Sequence, residues 1–195
     1  MAMDSWEKFL DPKELKSNLI AIALFVTVFE MFKDQLVERP RYYFMQGFED
    51  GNLIVDKSYE TEVLSLDKRN IVSASLLWLK KQGAFDDSII SEFNRIRRHR
   101  NELVHEMILF LSSPKEVDSD LFELMITIFI EFEKWWIIWF ESSVNPEAFP
   151  DDIDIDQIIP GVEFGITMML NIALGKEPDQ GRYLNYYKQY KAKSR

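Results

Sequence analysis

Residues 88–111 read SIISEFNRIRRHRNELVHEMILFL, and the spacing inside this stretch decides the fold. Apolar side chains fall at Ile89, Phe93, Ile96, Leu103 and Met107, in helical steps of three, four or their sum. That is the stripe of an amphipathic helix with one face turned to a core. The slot between Ile96 and Leu103 is position 100, and it holds arginine. A guanidinium on a core-facing stripe is unfavourable unless it is paired or reaches water. This face is therefore expected to line a groove. A second ladder, Arg97, Asn101 and His105, climbs in steps of four and shares one side of the helix.

Working outward, other helices frame this one. Asp11-Pro12 reads as a capping aspartate with proline in the first turn. A long helix should follow to Glu38 and stop before Pro40. Its stripe is Leu15, Leu19, Ile22, Val26 and Phe29, and its apolar middle suits the centre of a bundle. Between residues 41 and 65 Asp50-Gly51 marks a turn and Leu53-Ile54-Val55 is β-prone, so a loop or small hairpin is expected. A helix from Asp67 to Gln82 should close on Gly83. The motif helix should run on to Ser112, with Ser113-Pro114 breaking it. Another spans Ser119 to Ser142, carrying Trp135, Trp136 and Trp139 into the core or a dimer interface. An acidic stretch from Pro150 to Asp156 precedes a last helix, beginning at Asp154 or Pro160 and reaching Leu174. The resulting expectation is an all-α, antiparallel helical bundle of four to five long helices. Residues 1–175 form one domain, and 176–195 a basic, tyrosine-rich C-terminal tail.

Composition narrows the chemistry. The chain has 195 residues, 47% of them hydrophobic, and a formal charge of −10. So acidic a surface disfavours broad non-specific binding of nucleic acid, and any polyanion would meet a local patch. There is no cysteine, which removes disulfides and thiolate metal sites. Both histidines, His99 and His105, lie on the motif helix without a metal-binding H-E-x-x-H pattern. No metal and no cofactor are expected. The run Leu19–Phe29 is too short to span a bilayer. The longer one from Leu121 to Phe140 contains Glu123, Glu131, Glu133 and Lys134. A chain without a signal peptide or membrane segment, working in the cytoplasm, is the expectation.

An all-α chain with Arg100-Asn101-x-x-x-His105 on its third long helix resembles the HEPN superfamily. That family's signature is Arg-x4–6-His with a polar residue, often asparagine, after the arginine. The likeness covers roughly residues 12–142. It implies a dimer whose motif helices line a shared cleft, and in many members a metal-independent ribonuclease acting as a toxin or in phage defence. Other members are non-catalytic binding or dimerisation modules. The implied catalytic residues are Arg100, Asn101 and His105. RNA is the implied partner, together with a second copy and, for toxins, an antitoxin of unspecified type.

The residue types suit that chemistry. Histidine moves protons near neutral pH, with an ordinary pKa of about 6.5. Arginine offers permanently charged, planar donors to phosphate oxygens. A ribose 2′-hydroxyl as nucleophile would select RNA. Arg97 and Arg98 are assigned to RNA binding. One departure is Met107, where members silenced by a nucleotidyltransferase antitoxin carry tyrosine, so modification there has no acceptor. Glu106 beside His105 would repel phosphate unless it points away.

Plainer readings stand beside these. A run such as Arg95–Arg100 is by default a solvated basic face. His99 reads as an exposed surface residue. Glu30, inside the apolar first helix, is a candidate partner for Arg100. The lysine–tyrosine tail could attract single-stranded RNA, although a plain solvated terminus is the more usual reading.

Overall fold

The computed structural model describes residues 5–149, 154–176 and 179–193. Residues 150–153 of the expected acidic stretch lie outside them. The fold is all-α with one small hairpin. A short α1 (Ser5–Leu10) leads into α2 (Pro12–Tyr43). Asp11 caps α2, its carboxylate accepting from the backbone N–H of Lys13 at 2.8 Å and Glu14 at 3.2 Å.

Helix α2 runs through Pro40 instead of stopping before it. Proline removes only one hydrogen bond here, in the last turns. The residue ahead of it, Arg39, is anchored by Glu133 and Glu141 across the core. That anchorage, and burial of Pro40 itself, outweigh the local preference against helix. By length and composition α2 is apolar enough to cross a membrane, more so than the Leu19–Phe29 run alone. In the fold it is the helix on which α4, α5 and α7 pack.

Antiparallel β1 (Met45–Glu49) and β2 (Asn52–Val55) follow. They turn on Asp50 and Gly51, at φ +48° and +79°, the two left-handed residues that a tight hairpin turn requires. After α3 (Ser58–Glu62), α4 occupies Ile71–Lys81. It starts later than Asp67 because Asn70 is the cap, its side chain accepting from Ser73 N–H at 3.1 Å. Gly83 ends it at φ +86°, as the glycine position suggested.

The motif helix α5 spans Asp87–His105, capped by Asp86. It does not continue to Ser112. The chain breaks at Glu106 and restarts as α6 (Met107–Ser112). Helix α7 (Ser119–Trp136) passes into a π turn, Ile137–Glu141, and a short α8 (Ser142–Val144). Helix α9 (Gly161–Leu174) starts at the later of the two expected points. The C-terminal tail holds a helix, α10 (Arg182–Lys193).

The core is strongly aromatic. Phe25, Phe29 and Phe32 of α2 meet Phe93 and Ile96 of α5, Trp78 of α4, and Phe129 and Phe132 of α7, all buried. Phe32 stacks on Phe129 with ring centres 4.8 Å apart. Trp136 is buried, whereas Trp135 and Trp139 are half-buried and stack on each other at 4.8 Å.

Candidate functional site

Phe93, Ile96 and Leu103 are sealed in the core and fix the rotation of α5. That rotation sets Arg100 at the edge of the core, its side chain 26% exposed. The guanidinium lies over the Phe29 ring, 5.5 Å from its centre. One terminal nitrogen, Nη2, donates to Glu30 of α2, and Nη1 donates to the Asn101 carbonyl oxygen at 3.1 Å. Its Nε is buried without a hydrogen-bond partner. The slot is thus occupied by a paired arginine at a wet edge, and Glu30 is the partner.

Arg100 opens into a cavity of about 230 Å³ between α2, α5 and the start of α4. Glu30, Lys33, Asn70, Arg97 and Asn101 supply its polar wall, and Phe29, Val72 and Phe93 its floor. Lys33 also donates to Glu30. Burial raises the Glu30 pKa, but hydrogen bonds from Lys33 and Arg100, and their charges, outweigh it and hold the carboxyl below its usual range. Three cationic side chains and one carboxylate therefore share a small cleft, a composition suited to an anion larger than chloride.

The other assigned residues separate. Arg97 lines this cavity, while Arg98 is exposed and stands outside it. Neither is in an ion pair among the described residues, whereas Arg95 pairs with Glu92 at 3.0 Å. His105 is exposed and is not part of the cavity wall. Five residues of helix put it about 140° round the axis from Arg100. Within one chain the arginine and histidine of the motif do not meet.

His99 is not a surface residue. Its side chain is mostly buried between the rings of Phe25 and Phe110, at 5.0 and 5.9 Å. Its Nε2 accepts a hydrogen bond of 3.1 Å from the backbone N–H of Asp118. Burial lowers its pKa, assisted by Lys115 and opposed by Asp118 and Glu102. It is a neutral structural acceptor.

The carboxylates near His105 are compensated. Lys115 donates to Glu106 at 2.9 Å and pairs with Glu102 at 3.4 Å. Beside His105 an apolar surface opens: Val104, Met107, Ile108 and Leu109 are exposed, Ile108 by 61%. Trp6 of α1, 67% exposed, and Phe9 line a further cavity with Ile108 and Ser112. Buried Lys8 clamps α1 there by donating to the carbonyls of Ser113 at 2.8 Å and Lys115 at 3.2 Å.

Lys33, Asn70 and Val72 are the cavity residues that sequence reading missed. Lys33 could have been found as the helical neighbour of Glu30. Asn70 enters only because α4 packs across α2. Among the described residues no three His, Cys, Asp or Glu side chains gather as a metal-ligand set. No protein-family model, curated protein or solved structure matches the chain.

Proposed function

We propose that the chain is the protomer of a HEPN-type, metal-independent endoribonuclease that works as a homodimer in the cytoplasm. One observation carries the reading. Arg100, Asn101 and Arg97 converge on one cavity, while His105 faces out beside an uncovered apolar surface. A two-fold contact through α1 and α6 would cover that surface and bring each His105 toward its partner's cavity. The site is incomplete in one chain and complete in two.

The chemistry follows from the groups. The Arg100 cavity grips the scissile phosphate, Arg97 adds a second cation, and Asn101 holds the Arg100 guanidinium in plane. The partner's His105 takes the 2′-hydroxyl proton as that oxygen attacks phosphorus. The P–O bond to the 5′-oxygen breaks, that oxygen takes up a proton from water and His105 returns its own to solvent, leaving a 2′,3′-cyclic phosphate and a 5′-hydroxyl. Donors aimed at the charged phosphorane are worth about 3–4 kcal/mol each. Arg98, exposed beside the cleft, contacts the RNA backbone further along. A role as toxin or phage-defence effector, with an antitoxin as partner, belongs to the same reading.

A second reading has its own observation: Glu30 already engages Arg100. A non-catalytic HEPN-like module would bind RNA or a nucleotide, or simply dimerise, without turnover. Incubation of RNA with the protein in excess chelator separates the two. Cleavage to cyclic-phosphate ends, reduced at least about a hundredfold in Arg100→Ala and His105→Ala, is expected. Equal cleavage by both variants and wild type would remove these residues from the chemistry. Binding without cleavage would select the module.

A further inference from the structure

Helix α10 has the sequence RYLNYYKQYKAK and contains four cations and no acid, in a chain whose formal charge is −10. On a helical wheel Tyr183, Tyr186, Tyr187 and Tyr190 fall within an arc of about 100°. Lys191 edges that arc on one side and Lys193 on the other, with Lys188 further round. Tyr186 and Tyr187 are 61% and 60% exposed. Lys188, Lys191 and Lys193 are exposed and have no ion-pair partner among the described residues. Elsewhere Lys33, Arg39, Lys80, Arg100 and Lys115 all face carboxylates.

The helix buries none of its residues, and its main contacts are with the turn Asp179–Gly181 just before it. A hydrogen bond of 3.0 Å from Asn171 of α9 to the Tyr183 hydroxyl fixes where it begins. Helices shorter than about 12–15 residues are marginal in water unless something packs on them. A stripe of tyrosines flanked by lysines, on a helix that itself carries no acid, matches the demands of a single strand. Its bases stack on aromatic faces, and its phosphates seek cations on either side.

We propose that α10 is a landing site for single-stranded RNA, with Tyr186 and Tyr187 stacking on bases and Lys188, Lys191 and Lys193 neutralising phosphates. The identity of the polyanion rests on the ribonuclease reading; the site itself does not require turnover. The helix adds a capture point, separate from the Arg100 cavity, to a body too acidic to hold RNA by its general surface.

The test uses the full chain and a short fluorescent oligouridylate, in chelator, followed by anisotropy across a salt series. Replacing Lys188, Lys191 and Lys193 together by alanine should make the slope of log affinity against log salt shallower by about 2. Replacing Tyr186 and Tyr187 by alanine should weaken binding about tenfold or more and leave that slope unchanged. Alanine favours helix, so circular dichroism should show α10 retained in both variants. A duplex of equal length should compete poorly. Binding equal to wild type in both variants would overturn the proposal. So would a change in molecular mass by light scattering with RNA affinity untouched, which would make α10 a protein-docking helix. Loss of affinity in the α10 variants of a protein that never cleaves would sink the nuclease and keep this site.

Discussion

Glu30 sets what Arg100 can do. Its carboxylate takes one terminal nitrogen of Arg100 and also holds Lys33. With no anion present, this pairing keeps a guanidinium acceptable at the edge of an aromatic core. A phosphate entering the cavity must compete with Glu30 for the same donors. Glu30→Gln removes the charge while keeping a hydrogen-bond acceptor. It should raise affinity for a non-cleavable 2′-deoxy oligonucleotide severalfold, read by anisotropy. The two side chains remain 26% and 31% exposed, so solvent screening limits the stability loss to about 1 kcal/mol. Unchanged or weaker binding would mean that Glu30 is not a competitor for the anion. At this scale the sequence was informative: an arginine in a leucine slot, and a glutamate in an apolar helix, marked each other as partners. The same reasoning failed for His99. A histidine within a basic run reads as surface, and only the rotation of α5 shows that it faces Phe25 and Phe110.

Among the elements, His99 joins α5 to the start of α7. Its Nε2 receives the N–H of Asp118, and Asp118 caps α7 through the N–H of Leu121 at 2.9 Å. Protonation would abolish that acceptor. Because burial lowers the folded-state pKa, the unfolded chain binds the proton more readily. The stability from neutral His99 is therefore full above the unfolded value of about 6.5 and is lost as pH falls through the folded one. In thermal melts between about pH 7 and about pH 5, His99→Gln should lose less stability than wild type, since glutamine accepts without titrating. Parallel pH curves for the two proteins would contradict this. Element boundaries were legible where one residue writes the end locally, as the Asp11 carboxylate does for α2 and the left-handed backbone of Gly83 does for α4. They were not legible where tertiary contacts decide. Pro40 is carried inside α2 by Arg39 reaching Glu133 and Glu141. The π turn rotates the chain back so that Glu141 shares the face of Glu133, and no local pattern announces that. Glu106, where α5 breaks, is tied to Lys115, nine residues on.

For the molecule as a whole, the proposed function requires the second half of the site to come from a second copy. One chain has a cationic cavity that His105 does not line, and, elsewhere, exposed Trp6, Ile108 and Leu109. The dimer is an expectation of the sequence resemblance, and under the proposed function the separation of Arg100 and His105 around α5 requires it. The most direct measurement is ribonuclease activity of Arg100→Ala co-expressed with His105→Ala. Each variant alone lacks one half of every site. If Arg100 works with its partner's His105, mixed dimers restore one complete site each, and about a quarter of wild-type activity should return. If the mixture stays as inactive as either variant alone, the shared site is refuted.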